Sequence, residues 1–291
     1  MGRLRVSIVQ YLNTAPLVWG FTHGPLQGRY DLSFTVPSQC AQQLAAGEAD
    51  VAIIPAIEYQ RIPGLVALPG MAIASPHAVR SLLVISKTPI HQVRRLALDS
   101  SSRSTAALVR LLAAGAWQSA GAAPIEFTAA APDLAAMLAS NDAALVIGDP
   151  ALRLAERYDA GQPLDSGLPP AAVRVYDVVS EWRAWTGKPA VLAIWAAHRS
   201  AVSPGLLADF QASKQYGLAN LEEIAANAAA TLGLPQTHLE RYLRENIDYS
   251  LDQENRAGLQ LFFERAAAAG LIPAARPLEF AGAELDTGVR T

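Results

Sequence analysis

Asp50-Val51-Ala52-Ile53-Ile54 is the segment that indicates the fold class most directly. Its continuous apolar run predicts a strand that other elements cover on both faces, as in a parallel sheet. Two more strands are predicted before it, over residues 4–9 and 30–36, and helices begin near Asn13 and at Pro37. Strands and helices that alternate over such short connections predict an α/β protein with a parallel sheet.

The same alternation returns in the second hundred residues. Strands are predicted over residues 94–98, 125–128 and 143–147, with helices between them. Residues 173–179 and 190–196 are also apolar and typical of strands, and the chain is mainly helical from Ser203 onward.

Two α/β halves followed by helices predict a two-lobed fold with a ligand cleft between the lobes, which can close by hinge motion. A single larger doubly wound sheet is the alternative. Residues 1–87 are predicted to form the first part of lobe 1, and residues 88–178 to form lobe 2. Residues 179–291 are predicted to return to lobe 1 and to supply the helical C-terminal segment.

Composition excludes several classes of function. The 291 residues carry a net charge of −3 with acidic and basic residues interspersed, so no basic surface for nucleic acid is expected. One cysteine, Cys40, and five scattered histidines leave no spacing typical of a metal site, and no cofactor is predicted. No apolar run of about 20 residues predicts a membrane span, and the N-terminus resembles no signal peptide. A cytoplasmic protein is therefore expected.

Tyr11-Leu12-Asn13-Thr14 follows the first predicted strand. Ligands of α/β proteins bind at the carboxyl ends of parallel strands, and an asparagine amide there offers both a donor and an acceptor. Asn13 is therefore a candidate for ligand binding, although it is also a good helix N-cap. Both interpretations stay open at this point.

Asp99-Ser100-Ser101-Ser102-Arg103-Ser104-Thr105 lies between a predicted strand and a predicted helix. Free backbone N–H groups at a helix start bind anions, and the hydroxyls of Ser101, Ser102, Ser104 and Thr105 add donors beside the Arg103 guanidinium. The Gly-rich frame and final lysine of a phosphate loop are absent, so a carboxylate fits better than a polyphosphate. The alternative is a polar loop with a serine cap.

Two further positions are weaker candidates. Ser81, with Arg80 before it, enters the predicted strand 82–86, where it faces either the cleft or an ordinary sheet edge. Asp149 follows the predicted strand 143–147 and either caps the next helix or contacts the ligand.

Several signatures of catalysis are missing. The sequence has no G-x-S-x-G elbow, no Gly-rich dinucleotide turn after a strand, and no evident acid–base pair of carboxylates. The residues alone therefore indicate a two-lobed protein that binds a small carboxylate, without indicating a reaction.

Taken in order, several stretches resemble the chorismate dehydratases of the futalosine route to menaquinone. They are residues 7–17 (SIVQYLNTAPL), 47–59 (GEADVAIIPAIEY), 79–86 (VRSLLVIS), 98–105 (LDSSSRST) and 147–152 (IGDPAL). The last two stretches run from Tyr176-Asp177 through Glu181-Trp182 and from Trp185-Thr186-Gly187 to Ala193-Ile194-Trp195-Ala196. The resemblance covers residues 7–198, whereas the C-terminal helices match only in general character.

The resemblance implies a fold like that of type 2 periplasmic binding proteins, working as an enzyme on the small molecule chorismate. The implied reaction is loss of water to give 3-[(1-carboxyvinyl)oxy]benzoate. By motif, Asn13 and Ser81 would be catalytic and hold the enolpyruvyl group, and the Ser101–Thr105 loop would bind a carboxylate. Tyr11 and Asp149 are the remaining predicted substrate-binding residues.

The missing protein base suggests that the substrate's own enolpyruvyl carboxylate removes the ring proton. Two other functions compete with this hypothesis. A related enzyme with the same fold makes 1,4-dihydroxy-6-naphthoate and has a His-Glu pair where this chain has Gly148-Asp149, which argues against that reaction. A non-catalytic solute-binding protein is the other alternative.

Overall fold

The computed structural model of the chain describes residues 2–117 and 124–282. Its first sheet has five strands, in the order β2-β1-β3-β10-β4. They are β1 (Arg5–Val9), β2 (Asp31–Thr35), β3 (Val51–Pro55), β4 (Leu65–Ser75) and β10 (Ala190–His198). β1 pairs with β2 and β3 in parallel, whereas β10 runs antiparallel to β3 and β4. The sheet predicted to be parallel is therefore mixed.

The second sheet repeats this plan with the order β7-β6-β8-β5-β9. Its strands are β5 (Leu82–Ser86), β6 (Arg95–Asp99), β7 (Glu126–Ala130), β8 (Ala143–Ile147) and β9 (Arg174–Asp177). β6 pairs in parallel with β7 and β8, and β5 is antiparallel to β8 and β9. Two separate sheets confirm the two-lobed fold and exclude a single doubly wound sheet.

Eleven α-helices of the described residues cover these sheets. They are α1 (Ala15–Thr22), α2 (Pro37–Ala45), α3 (Glu58–Arg61), α4 (Ser104–Leu112), α5 (Leu134–Ser140), α6 (Gly148–Asp159), α7 (Val178–Thr186), α8 (Pro204–Ala219), α9 (Leu221–Leu232), α10 (Gln236–Arg241) and α11 (Gln253–Ala268). The helical C-terminal segment is therefore present. Within the described ranges, no helix is both long and apolar enough to cross a membrane.

The chain passes to the second sheet earlier than expected. The boundary was predicted after residue 87, but Leu82–Ser86 is already the fourth strand of the second sheet. A strand that is buried along its whole length, as this one is, carries no local signal of which sheet it joins. The crossing segment is therefore residues 76–81, immediately before Leu82.

Two elements differ from the sequence prediction. β4 was not predicted, because Pro69 and Gly70 interrupt its apolar pattern where it makes irregular pairs with β10. Residues 173–179 were predicted to form one strand, but β9 ends at Asp177 and residues 178–186 form α7. Asp177 caps this helix by accepting hydrogen bonds from the N–H groups of Val179 and Ser180, and this local signal outweighs the β-propensity of the valines and tryptophans.

Three backbone N–H groups of the first lobe donate hydrogen bonds to the second lobe across the cleft. The Leu12 N–H donates to Asp149 Oδ1 at 3.0 Å, and the Ile57 N–H donates to Ser104 Oγ at 3.2 Å. The Ser38 N–H donates to the carbonyl of Ser101 at 3.2 Å. The main hydrophobic core runs through the interface, and a smaller second core lies under the far face of the second sheet. The structure therefore has its lobes closed on one another.

Candidate functional site

A cavity of about 50 Å³ lies where the lobes meet, at the ends of β1 and β8. Both lobes contribute to its lining, which is mostly apolar and includes Val9, Ile73 and Leu192. Six of the nine predicted site residues line it: Tyr11, Asn13, Ser102, Arg103, Ser104 and Thr105. Ser81, Ser101 and Asp149 are not among its lining residues. The structure thus brings together two loops that lie about 90 residues apart in sequence.

Asn13 lies in a short 3-10 turn, Leu12–Thr14, between β1 and α1. Its side chain caps neither element, because the cap positions are Tyr11 and Thr14 and neither cap has a side-chain hydrogen bond. The helix-cap interpretation of Asn13 is therefore wrong. The residue is 8% exposed, and Thr14 Oγ1 donates to Asn13 Oδ1 at 3.4 Å, which turns the amide nitrogen away from Thr14.

Tyr11 crosses from the first lobe to the second. Its ring covers Gly148 so closely that a Cβ on this glycine would lie 2.6 Å from Tyr11 Cζ. Gly148 also has a φ of +68°, a conformation that residues with a Cβ rarely adopt. Burial raises the pKa of Tyr11, which a side-chain hydrogen bond with Ser101 partly offsets. The phenol is therefore a neutral hydrogen-bonding group at the cleft.

The loop after β6 is held in shape by a buried carboxyl group. Asp99 Oδ1 accepts hydrogen bonds from the Ser101 N–H at 2.9 Å and from Ser101 Oγ at 2.6 Å. Asp99 is 1% exposed, and burial raises its pKa despite these bonds. Ser101 therefore supports the loop from behind, and Ser102 and Ser104 face the cavity.

Arg103 is the single charged residue among the described residues that line the cavity. It occupies the N-cap position of α4 without a side-chain cap bond, so the serine-cap interpretation of this loop is wrong. Its guanidinium lies 4.0 Å from Glu58, whose carboxylate makes a closer pair with Arg61 at 2.6 Å. The cation and the start of α4 together favour an anion in the cavity.

Asp149 lies in the first turn of α6 but does not cap this helix. The N-cap residue is Ile147, and no side chain makes a capping hydrogen bond. Its carboxylate instead accepts the Leu12 N–H of the other lobe. Burial raises the pKa of Asp149, against the lowering effects of this bond and of Arg153. The cap interpretation is wrong, and Asp149 acts in this structure as a contact between lobes beside a wider groove along α1 and α9.

Ser81 ends the crossing segment, and its neighbour Leu82 reaches the cavity. Ser81 is 2% exposed, and its hydroxyl accepts a hydrogen bond from the Tyr242 hydroxyl at 2.9 Å. Tyr242 comes from the π-helical turn Tyr242–Asn246 that follows α10. The sequence analysis did not identify Tyr242, because a tyrosine among helical residues carries no local signal of a partner 161 positions away.

The side chain of Arg80, the residue before Ser81, makes its ion pairs away from the cavity. Its guanidinium lies 3.0 Å from Glu156 and 2.7 Å from Asp159 of α6. Its backbone has a φ of +62°, and its N–H donates to Asp177 Oδ2 at 2.6 Å. These contacts fix the crossing segment immediately before Ser81 and leave Arg103 as the guanidinium of the cavity.

In the ranges 2–117 and 124–282, no group of three or more His, Cys, Asp or Glu side chains is placed to hold a metal ion. The donors at the cavity are a buried amide, several buried hydroxyls and the partly exposed guanidinium of Arg103. Such a set can hold the oxygen atoms of a small carboxylate and keep water away from it.

Two lobes, each with a mixed sheet of the same strand order, and a polar cavity between them place the chain in the class of periplasmic-binding-protein-like folds. Solved structures agree with this class. Protein AF1704 from Archaeoglobus fulgidus has a TM-score of 0.71 at 18% identity, covering 93% of this chain and 98% of its own. The periplasmic aliphatic sulphonate binding protein SsuA from Escherichia coli has a TM-score of 0.62 at 18% identity, covering 96% and 93%.

Sequence similarity is more specific than the fold. Residues 4–268 match the model of a family described as menaquinone biosynthesis, and the chain belongs to this family. The chorismate dehydratase of Thermus thermophilus is 29% identical to it over 270 residues, which cover 89% of this chain and 93% of that protein.

Proposed function

We propose that this protein is a chorismate dehydratase, a hydro-lyase that converts chorismate to 3-[(1-carboxyvinyl)oxy]benzoate and water. The observation that carries the proposal is the similarity to the Thermus thermophilus enzyme along nearly the whole length of both chains. The cavity supports it, because it offers neutral donors and one cation to a substrate that has two carboxylates. We propose that the protein acts in the cytoplasm, as the sequence analysis predicted.

The reaction balances without a protein base. The proton on the ring carbon that bears the enolpyruvyl ether passes to the substrate's enolpyruvyl carboxylate. The electron pair of that C–H bond forms the new ring double bond, and the neighbouring C–O bond breaks. The departing hydroxide takes the proton from the enolpyruvyl carboxyl group and leaves as water, which restores the carboxylate. Because the product ring is aromatic, the protein has mainly to orient the substrate and exclude solvent.

Two groups of residues divide this task in the proposal. Asn13 and Ser81 hold the enolpyruvyl carboxylate against the ring C–H, and neutral donors suit this role because they leave the carboxylate basic. Arg103 and the hydroxyls of Ser102 and Ser104 bind the ring carboxylate at the start of α4. This division keeps the cation away from the carboxylate that acts as the base.

Substrate entry requires the lobes to separate. The cavity has about 50 Å³, whereas pockets for small organic ligands have roughly 300–1,000 Å³. The three hydrogen bonds that the backbone N–H groups of Leu12, Ile57 and Ser38 donate to the second lobe would break on opening and form again around the substrate. Hinge closure of this kind shields the reaction from water.

The test is to incubate the purified protein with chorismate and to identify the product by ultraviolet absorbance and mass. Loss of one water with appearance of an aromatic product is the expected result. The Asn13→Ala variant, purified in the same way, shows whether the activity comes from this protein or from a contaminating enzyme. The Asn220→Ala variant, in the connection between α8 and α9, shows whether replacing an asparagine outside the cavity has the same effect. Binding of chorismate without turnover would instead indicate a solute-binding protein, and absence of binding would contradict the proposal.

A second experiment tests the origin of the base. Chorismate esterified at the enolpyruvyl carboxylate keeps the leaving hydroxyl but has lost the proposed proton acceptor. We expect no turnover of this ester, whereas turnover at an unchanged rate would show that a protein group removes the proton.

A further inference from the structure

Tyr242 makes a buried side-chain hydrogen bond with Ser81 and comes from a distant part of the chain. It is 2% exposed, and its hydroxyl lies 2.9 Å from Ser81 Oγ. The Asn13 side chain is a second polar neighbour of this hydroxyl, and it lowers the pKa of Tyr242. One phenol oxygen thus lies beside both side chains that are predicted to hold the enolpyruvyl carboxylate.

The directions of these contacts follow from the number of protons. Burial raises the pKa of Tyr242, and Ser81 and Asn13 offset this only in part, so the phenol stays protonated at neutral pH. A phenol has one proton, which it donates to Ser81 Oγ. Toward Asn13 the phenol oxygen can then only accept, so the amide N–H faces it. Thr14 supports this orientation by donating to Asn13 Oδ1.

We propose that Tyr242 is a positioning residue of the dehydratase, which directs the hydroxyl hydrogen of Ser81 and the second amide hydrogen of Asn13 toward the substrate carboxylate. The inference rests on the proposed function. Because Ser81 Oγ accepts from Tyr242, its own hydrogen is free for another acceptor. Because one hydrogen of the Asn13 amide faces Tyr242, the other one is free as well. Both donors are oriented before the substrate binds, which lowers the cost of reaching the reactive geometry.

The chain offers a matched control in Tyr249. It is also buried, at 5% exposed, but its hydroxyl has no hydrogen-bond partner among the described residues. Removing the hydroxyl of Tyr249 therefore tests the effect of a buried phenol oxygen without touching Ser81 or Asn13.

The experiment compares Tyr242→Phe, Tyr249→Phe, Ser81→Ala and the double variant Ser81→Ala/Tyr242→Phe in chorismate turnover. We expect Tyr242→Phe to lower kcat about tenfold and to leave KM within about twofold, because it removes the orientation of donors and no direct contact with substrate. Tyr249→Phe should leave both constants unchanged. In the double variant, the loss relative to Ser81→Ala should be much smaller than tenfold, because most of the effect of Tyr242 passes through Ser81.

A second measurement keeps a tyrosine at position 242, so it works even if the Tyr242→Phe variant does not fold. Fluorine NMR of protein labelled with 3-fluorotyrosine should show the Tyr242 resonance move in the Ser81→Ala variant and on addition of chorismate, and the Tyr249 resonance should stay in place. Resonances are assigned with phenylalanine variants at the other tyrosines.

The outcomes separate the two proposals. Wild-type protein that neither binds nor converts chorismate overturns the proposed function and this inference with it. If the wild type is active but the fold-losses in kcat of Tyr242→Phe and Ser81→Ala multiply in the double variant, this inference is overturned and the proposed function stands. Equal losses in Tyr242→Phe and Tyr249→Phe, with equal falls in Tm, would assign Tyr242 a merely structural role.

Discussion

The loop after β1 and the loop after β6 occupy equivalent places in two sheets of the same strand order, yet their chemistry differs. Each loop follows the strand that is second in the spatial order of its sheet, β1 or β6. Each leads into a helix whose N-cap makes no side-chain hydrogen bond. The first loop contributes a phenol and an amide, Tyr11 and Asn13. The second contributes hydroxyls and a guanidinium from Ser102, Ser104 and Arg103. One backbone plan therefore supplies two different kinds of binding surface.

The supports of the two loops differ as well. Asn13 is fixed by distant residues, through Tyr242 of the C-terminal helices, whereas the β6 loop is fixed by its own neighbour, Asp99. In the proposed function, the first loop holds the reacting carboxylate and the second loop binds the ring carboxylate. We therefore expect changes in the first loop to affect kcat and changes in the second to affect KM.

The largest effect is expected for Asn13→Ala. Loss of an oriented donor to the reacting carboxylate should lower kcat by about 10²–10³, the range found when one donor to a developing charge is removed. KM should change little, and steady-state kinetics with chorismate give both constants. A rise in KM at constant kcat would contradict the division between the loops.

Gly148→Ala tests the contact between Tyr11 and the second lobe. The new methyl group would meet the Tyr11 ring at 2.6 Å, and alanine is strained at a φ of +68°. We expect a loss of about 2–4 kcal/mol in the free energy of unfolding, measured in urea. Gly161→Ala is the control, because Gly161 has a φ of +69° but no atom within 4 Å of the added Cβ. Equal losses in both variants would mean that the Tyr11 contact is unimportant.

Arg103→Ala should act on binding. Removal of the guanidinium from the cavity is expected to raise KM about tenfold or somewhat more, as for loss of a hydrogen bond to a charged group, with a smaller change in kcat. Arg110→Ala is the matched control on the same helix, since Arg110 is exposed and its guanidinium lies 4.5 Å from the Phe127 ring. A fall in kcat at constant KM would place Arg103 in the chemical step.

The smallest effect is expected for Asp149→Asn, which keeps an acceptor for the Leu12 N–H but removes the charge. Because the pKa of Asp149 is raised in the folded protein, its contribution to stability is present at low pH and is lost as pH rises through that pKa. The variant should therefore gain stability relative to wild type as pH increases. Urea unfolding at several values between about pH 4 and pH 8 measures this. Asp31→Asn, at an exposed strand position, controls for loss of one negative charge.

Local patterns predicted most of the fold. Nine of the ten strands were predicted close to their observed positions, because buried apolar runs and helix starts are local signals. The exceptions have local causes. Pro69 and Gly70 interrupt the apolar pattern of β4, so this strand was not predicted. The valines after Asp177 are typical of a strand, although they begin α7. The assignment of Leu82–Ser86 to the first lobe differed from the structure because pairing between strands is not a local property.

The candidate site was predicted in part. Position at the end of a strand was enough to identify Asn13 and the loop of Ser102–Thr105, all of which line the cavity. Tyr242 was missed because its role depends on contacts with Ser81 and Asn13 that only the folded chain makes. Asp149 was predicted to cap α6 or to contact the ligand, and in the structure it accepts a hydrogen bond from the Leu12 N–H of the other lobe.

The sequence by itself determined the two α/β halves and the two polar loops at their strand ends, because side-chain periodicity and helix-start chemistry act over a few residues. Tertiary structure alone decided which sheet β5 joins, which arginine faces the cavity, and that Tyr242 makes a hydrogen bond with Ser81. The physical reason is that a buried polar group needs a hydrogen-bond partner, and which distant group becomes that partner depends on packing of the whole chain.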